Sequence, residues 1–185
     1  MEWDSPKFAR SLDATVRMAR GQLPGYGYPY VVLPYPAGEE MRCIQEFQGA
    51  SARLSADGIE SKVCAVSPHV AQAASRYAER ELRDTDDYAR LLADLSDPRG
   101  GLVSKAAVLC AREIKETVAS GAVVLLCRLG ALYPFGHVST LLEALYGAGV
   151  RNTVAVAYPG TADGTVLRFL GLVDPTGGYR GHVVT

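Results

Sequence analysis

The sequence predicts an α/β fold: a mostly parallel sheet with helices on both faces, Rossmann-like or P-loop-like without a Walker motif, and a C-terminal antiparallel hairpin. Short, continuous apolar runs alternate with segments of helical period, a pattern typical of parallel strands that are buried on both faces. The chain has 185 residues, of which 48% are hydrophobic and 21% charged, so it is long enough to bury its own core. We therefore expect a single α/β domain over residues 1–185.

The first half of the chain predicts two helices and two strands. Ser5 as N-cap and Pro6 at the first helical position begin a helix that ends at about Arg20. The apolar run from Tyr30 is the first strand, and its prolines are expected to stop it at about Leu33. Apolar side chains recur at helical spacing over 38–54, and residues 61–66 form the second strand.

The second half predicts a helical insertion followed by the remaining strands. Residues 70–120 are expected to be mostly helical, with a break at 84–87 and a last helix over 104–120. Residues 122–127 form the clearest buried strand, a helix follows from about 138, and 153–158 is another strand. Two short apolar runs, 166–173 and 178–184, are predicted to pair as a closing antiparallel hairpin.

Composition excludes several classes of protein. No uncharged apolar run approaches the roughly 20 residues of a membrane-spanning helix. The first residues include acids and lack the apolar segment of a secretory signal, so we expect a cytoplasmic protein. The four cysteines are scattered without a Cys-x-x-Cys pair, which predicts reduced core residues and no metal site. A net charge of -1 argues against direct DNA binding.

The candidate functional residues follow the predicted strands, because ligands of open α/β sheets bind beyond the carboxyl ends of the strands. In chain order they are Tyr35, Glu39, Glu40, Arg42, Arg128, Tyr133, His137, Tyr158, Pro159 and Gly160. Four polar side chains would form one site if their loops converge: Glu40, His69, Arg128 and His137. The alternative is that such residues only cap helices and turns.

Sequence motifs give no direct support for catalysis. The phosphate-binding patterns Gly-x-x-x-x-Gly-Lys-Ser/Thr and Gly-x-Gly-x-x-Gly are absent, as is the nucleophile pattern Gly-x-Ser-x-Gly. We therefore predict no catalytic residue, cofactor or metal, although a helix start near Gly136 could hold an anion. Four tyrosines cluster around the first strand and indicate either a partly exposed interface or strand-edge packing: Tyr26, Tyr28, Tyr30 and Tyr35.

Several segments taken together resemble one protein family. Residues 28–40 read Tyr-Pro-Tyr-Val-Val-Leu-Pro-Tyr-Pro-Ala-Gly-Glu-Glu and are followed by Arg42 and a helix that ends at Asp57-Gly58. Further along stand 130–135 with His137, the run Tyr158-Pro159-Gly160, Leu170-Gly171, and finally Tyr179 with Arg180. In order and spacing, this series resembles the BrxB family of bacteriophage exclusion (BREX) defence systems over nearly the whole chain. Gly178 and Gly181, on either side of Tyr179-Arg180, depart from the bulkier residues of that pattern.

The resemblance implies a small component of a phage-defence system that has no established catalytic activity. Family members are thought to work with the alkaline-phosphatase-like protein PglZ, the ATPase BrxC and the DNA methyltransferase of the system. Our first hypothesis is therefore a non-enzymatic adaptor that binds other defence proteins. The alternative is a degenerate nucleotide-binding or hydrolytic domain that uses Arg128, Gly136, His137 and Glu40. A homodimer is left open.

Overall fold

The structure is a computed structural model, which describes residues 3–23, 27–81, 88–164, 166–172 and 181–184. In these ranges the chain forms helices and strands in the following order: α1 Ser5–Ala19, β1 Tyr30–Tyr35, α2 Glu40–Ala56, β2 Ser61–Ala65, α3 Ser67–Glu81, α4 Tyr88–Ser96, α5 Leu102–Thr117, β3 Val123–Cys127, α6 Val138–Gly147, β4 Val154–Asp163, β5 Val166–Phe169 and β6 His182–Val183. Short 3-10 helices at Ala37–Glu39 and Leu129–Leu132 precede α2 and α6.

The strands form one six-stranded sheet in the order β2-β3-β4-β1-β6, with β5 paired to the far end of β4. Every pair along the main path is parallel. Only β5 is antiparallel, pairing with the last residues of β4. The predicted fold class is confirmed, because the sheet is mostly parallel and an antiparallel hairpin lies near the C-terminus.

The helices cover both faces of the sheet, as alternation along the strands dictates. Leu33, Leu125 and Ala155 point towards α1 and α2. They pack against the buried face of α2, which consists of Cys43, Phe47, Ala50 and Leu54. Val32, Val124 and Val156 point the other way and pack against α3, α5 and α6. The helical block predicted over 70–120 supplies α3, α4 and α5, and its expected break at 84–87 lies outside the described residues.

Two local predictions near the N-terminus were wrong. The N-cap of α1 is Asp4, whose carboxylate accepts a 2.7 Å hydrogen bond from the backbone N–H of Lys7, so Ser5 is already helical. Strand β1 continues through Pro34 to Tyr35. The carbonyl of Val32 accepts a hydrogen bond from the backbone N–H of Val184, which directly follows β6, so Pro34, two residues on, faces the same side beyond the end of β6. Among the described residues no strand pairs with Pro34 on that side, so its missing N–H is tolerated.

The C-terminal strands pair differently from the prediction. Strand β4 does not end at Tyr158 but runs through Pro159 and Gly160 to Asp163, where the chain turns into β5. The antiparallel hairpin therefore consists of β4 and β5, and β6 instead adds to β1 in parallel. The apolar runs at 166–173 and 178–184 both have the pattern of a strand, but that pattern does not identify the strand with which each one pairs.

The tyrosines around β1 were expected either at a partly exposed interface or in strand-edge packing. Tyr30 and Tyr35 of β1 are almost completely buried, as is Tyr158 of β4, so these tyrosines pack in the core and do not form an exposed interface. Tyr28 stacks on Tyr30 with ring centroids 5.5 Å apart and contacts Tyr146 at 4.4 Å. Tyr26 lies outside the described residues. Within the described ranges, none of the helices has both the length and the apolar character needed to cross a membrane.

Candidate functional site

Three polar side chains from different elements lie close to the carboxyl end of β1. Tyr35 is the last residue of β1, and Glu40 opens α2 after the short 3-10 helix. Trp3, which precedes α1, lies against Tyr35 with ring centroids 6.5 Å apart. We call Trp3, Tyr35 and Glu40 the β1-end cluster. It assembles because the start of α1 and the start of α2 both lie at the carboxyl end of β1.

The β1-end cluster contains buried polar atoms. Trp3 Nε1 lacks a hydrogen-bond partner among the described residues, whereas the buried Tyr35 hydroxyl and the Glu40 carboxylate, of which Oε1 is buried, interact with each other. Buried unpaired polar atoms are costly and usually mark bound water or a ligand. Burial, followed by the neighbouring Cys43 and Glu40, raises the pKa of Tyr35, so its hydroxyl is a neutral donor at physiological pH. Within the cluster the Tyr35 hydroxyl faces the Glu40 carboxylate, and the Trp3 Nε1–H group is the donor without a partner among the described residues.

A pocket of about 130 Å³ adjoins this cluster. It is lined by Trp3, Asp4, Lys7, Leu33, Pro34, Tyr35 and Pro36. Burial lowers the pKa of Lys7, although the Asp4 carboxylate beside it acts in the opposite direction. The pocket is therefore small and mixed in character, with aromatic and proline walls and one amine.

Exposed side chains surround this end of the sheet. Met41 is 64% exposed in the first turn of α2, and the exposed Arg42 places its guanidinium carbon 5.6 Å from the centroid of the Trp3 ring. After β3, Arg128 is exposed and adopts the left-handed conformation, and Tyr133 is 46% exposed before a cis peptide bond to Pro134. We call Met41, Arg42, Arg128 and Tyr133 the carboxyl-edge patch. All four follow strands that end at the same edge of the parallel sheet.

His137 is the N-cap residue of α6 and is half-buried, without a side-chain hydrogen bond to the helix. Gly136 before it packs closely on α5, since a Cβ there would lie 2.8 Å from Val103 Cγ2. Close packing of helix against loop, rather than a phosphate, accounts for this glycine.

His69 belongs to a different cluster from the other predicted polar residues. Its Nε2 lies 2.8 Å from Glu113 Oε2, and Lys62 Nζ lies 3.5 Å from Glu113 Oε1. Lys62 also donates a 2.7 Å hydrogen bond to Thr117 Oγ1. Sequence reasoning missed Glu113, whose only signal is its place on α5 between the buried Cys110 and Ile114.

The structure therefore brings together only part of the predicted site. Tyr35 and Glu40 meet in the β1-end cluster, whereas His69 pairs with Glu113. After burial, the charges of Arg128 and Glu40 act on the pKa of the Cys127 thiol at the end of β3, in opposite directions. Glu39 ends the 3-10 helix before α2.

The other predicted residues have structural roles or lie outside the described ranges. Tyr158 is buried against Phe169 of β5, with ring centroids 5.7 Å apart. The Pro159 carbonyl accepts a hydrogen bond from Leu170, and Gly160 has a φ of 155°. Tyr158, Pro159 and Gly160 thus belong to β4 and not to a loop. Tyr179 and Arg180 are outside the described residues.

The four cysteines are buried thiols. Burial is the main factor that raises the pKa of Cys64 and Cys127 to about 11 and that of Cys110 to about 12. The thiolate is the nucleophilic form of cysteine, so these thiols are protonated and unreactive at neutral pH. No group of three or more His, Cys, Asp or Glu side chains suited to a metal ion occurs in the part of the chain that the structure describes.

Comparison with known proteins agrees with the series of motifs. The family model of the BREX protein BrxB matches residues 72–184, more than half of the chain. The chain belongs to the BrxB family. The matched region includes Arg128, Tyr133, His137 and the run Tyr158-Pro159-Gly160, whereas the β1-end cluster precedes it. BrxB membership makes the chain a component of a BREX phage-defence system. No curated protein and no solved structure gives a significant match.

Proposed function

We propose that this BrxB-family protein is a cytoplasmic, non-enzymatic adaptor that binds other proteins of its BREX system. The family implies association with other BREX components, and PglZ, BrxC and the DNA methyltransferase are the candidate partners. We infer the adaptor role from the exposed residues at the carboxyl edge of the sheet.

The carboxyl-edge patch is the observation that supports this proposal. Met41 and Tyr133 expose large apolar side chains at the same edge of the sheet, and Arg42 and Arg128 flank them. Methionine, tyrosine and arginine are enriched in protein interfaces, where they combine apolar contact with hydrogen bonding. The strands beneath hold these residues on a rigid frame, which favours binding without large rearrangement.

Co-purification tests the proposal directly. The tagged chain is expressed with PglZ, BrxC and the methyltransferase of its own system and recovered at low salt. We expect at least one partner to be retained, and the double variant Met41→Glu/Tyr133→Glu to lose it. The glutamate at position 41 stands in the first turn of α2, where a negative charge suits the helix dipole, so the variant should fold.

The matched control is Val108→Glu/Leu92→Glu, which places the same charges on exposed positions of α5 and α4. This control should retain the partner. Recovery of none of the three proteins with the wild-type chain would refute the adaptor function, and retention by the patch variant would refute the role of the carboxyl-edge patch.

A nucleotide-binding domain is the second candidate function. It is favoured by the start of α6, where His137 leaves the first backbone N–H groups without a side-chain cap while the exposed Arg128 lies at the same sheet edge. Such a helix start can hold an anion. A ligand at 100 times its dissociation constant adds about 2.7 kcal/mol of stability. A nucleotide-binding domain should therefore show a higher melting temperature with ATP or GTP and magnesium in a thermal-shift measurement. An unchanged melting temperature would eliminate this function.

A further inference from the structure

A groove of about 500 Å³ lies between α1 and α2, on the sheet face that these two helices cover. Its lining is mostly apolar, with buried Phe8, Ala50 and Leu54 and half-buried Leu12 and Val16. The remaining lining residues are Ser5, Ala9, Asp13, Glu46, Arg53 and Asp57. The groove is distinct from the carboxyl-edge patch, because it runs along the bodies of the helices.

Two features of the sequence create the groove. The helices approach each other through Phe8, whose ring centroid is 6.0 Å from that of Phe47 and 5.9 Å from the guanidinium carbon of Arg53. Along α2 the groove is lined by Glu46, Ala50, Arg53 and Leu54, and Ala50, one helical turn from both Glu46 and Leu54, is too small to fill the space. Leu12 and Val16 are therefore left partly exposed on the opposite wall.

The charges around the groove are predominantly negative. Asp13, Glu46 and Asp57 are the carboxylates in its lining, and Arg53 is the cation. Arg53 is already engaged by Glu46, since Nη2 lies 3.7 Å from Oε2. Asp13 makes only a 4.0 Å contact with the exposed Arg17, which is worth little in water. An apolar floor between carboxylates thus complements an apolar stripe flanked by basic residues.

We propose that this groove docks an amphipathic helix of a partner protein, with apolar side chains at helical spacing seated against Leu12 and Val16. Lysine or arginine residues on the flanks of that helix face Asp13 and Asp57. Helix-in-groove recognition of this kind uses apolar anchors at i, i+3, i+4 and i+7. The inference rests on the proposed adaptor function and adds a second surface with a defined partner chemistry.

Charge also distinguishes a partner helix from a second copy of this chain. In a two-fold dimer through the groove, each copy would present the same acidic rim to the other. Like charges placed opposite one another across an interface disfavour association. A basic helix from another protein meets no such repulsion.

A peptide titration tests the groove independently of any natural partner. The probe is a synthetic helical peptide with leucines at i, i+3, i+4 and i+7 and lysines on both flanks, added to the full-length ¹⁵N-labelled chain. We expect shifts of the backbone amides of Leu12, Val16 and Arg53. The same peptide with glutamate in place of every lysine should bind at least about tenfold more weakly, because the rim repels it.

Charge reversal provides the matched variants. Asp13→Lys/Asp57→Lys should weaken binding of the lysine peptide about tenfold. Glu60→Lys/Glu143→Lys changes the net charge equally at exposed positions away from the groove and should leave the affinity unchanged. Equal loss in both variants would show nonspecific attraction and overturn the proposal, as would an absence of shifts in α1 and α2.

The remaining outcomes separate this inference from the adaptor function. Sedimentation of the wild-type chain that shows a dimer abolished by Asp13→Lys/Asp57→Lys would assign the groove to a second copy and overturn the partner helix. Co-purification of a BREX protein together with a failed peptide titration would leave the adaptor standing and remove the groove. A successful peptide titration without co-purification would support the groove as a helix-binding site and remove the adaptor function.

Discussion

The phenolic hydroxyl of Tyr30 in β1 donates a 2.9 Å hydrogen bond to the backbone carbonyl of Leu142 in α6. Both residues are buried, and the bond ties the sheet to the helix that covers it. Tyr30→Phe removes the donor but keeps the ring, so we expect the free energy of unfolding to fall by about 1 kcal/mol. Urea denaturation measures this change. Tyr133→Phe, at an exposed position, is the control and should leave the midpoint where it is; equal midpoints for Tyr30→Phe and the wild type would contradict the assignment.

Gly160 is required by the β4–β5 hairpin. Its φ of 155° is unfavourable for other residues, and a Cβ would lie 2.1 Å from the carbonyl oxygen of Arg168. We expect Gly160→Ala to destabilise the protein by more than about 2 kcal/mol, because backbone must shift to relieve the clash. Gly49→Ala is the opposite case, since Gly49 lies within α2 with open space around it.

For Gly49→Ala we expect a gain of about 0.5–1 kcal/mol from helix propensity. Thermal denaturation of the two alanine variants beside the wild type provides the comparison. Similar melting temperatures for both variants would mean that the β4–β5 hairpin does not require a glycine at position 160.

The first helix offers a test of which residue caps it. Asp4→Ala removes the side-chain acceptor for the Lys7 N–H and should cost about 1 kcal/mol. Ser5→Ala changes the neighbouring residue, which is already inside the helix, and should be nearly neutral. Chemical denaturation ranks the two variants, and the reverse order would restore Ser5 as the cap.

Burial of the thiols predicts a loss of stability at alkaline pH. The pKa of Cys110 is raised to about 12 and those of Cys64 and Cys127 to about 11, from 9.0. Each thiol is neutral in the folded protein while it ionises in the unfolded chain, so its contribution is full below pH 9 and is lost as the pH rises towards the folded value. At pH 9 each thiol should lower the free energy of unfolding by about 0.7 kcal/mol per pH unit.

Urea denaturation from pH 7 to pH 10 measures that slope. Other groups also titrate in this range, so the informative quantity is the difference between the wild type and Cys110→Ala. We expect a flatter slope for the variant at pH 9, whatever its absolute stability. Parallel curves would show that Cys110 ionises equally in both states.

The fold class was predictable from sequence because burial on both faces of a parallel sheet leaves continuous apolar runs, as at 122–127. Strand ends and partners were less accessible. Pro34 and Pro159 look like strand terminators, yet the structure places both of them inside strands. The partner of β5 depends on how far β4 extends, which no local pattern records.

The candidate site was predictable only in part, for a related reason. Tyr35 ends β1 and Glu40 follows it closely in the sequence, and the structure brings them together in one cluster, whereas His69, which was expected beside Glu40, pairs with Glu113. Trp3, which completes the cluster, belongs to the segment before the first helix. Glu113, which pairs with His69, lies on α5 in the middle of the chain. Such contacts between distant segments depend on helix placement over the sheet, which the periodicity of single segments does not determine.

The length of β4 also constrains any partner of the carboxyl edge. β4 lies between β1 and β3, pairs with Tyr35 at Pro159, and then continues with β5 alongside it. The hairpin therefore stands as a partition in the centre of the edge, with Met41 and Arg42 following the strand on one side and Arg128 and Tyr133 following the strand on the other. A partner that contacts both halves must have a cleft that straddles the hairpin, or must bring two separate segments to it.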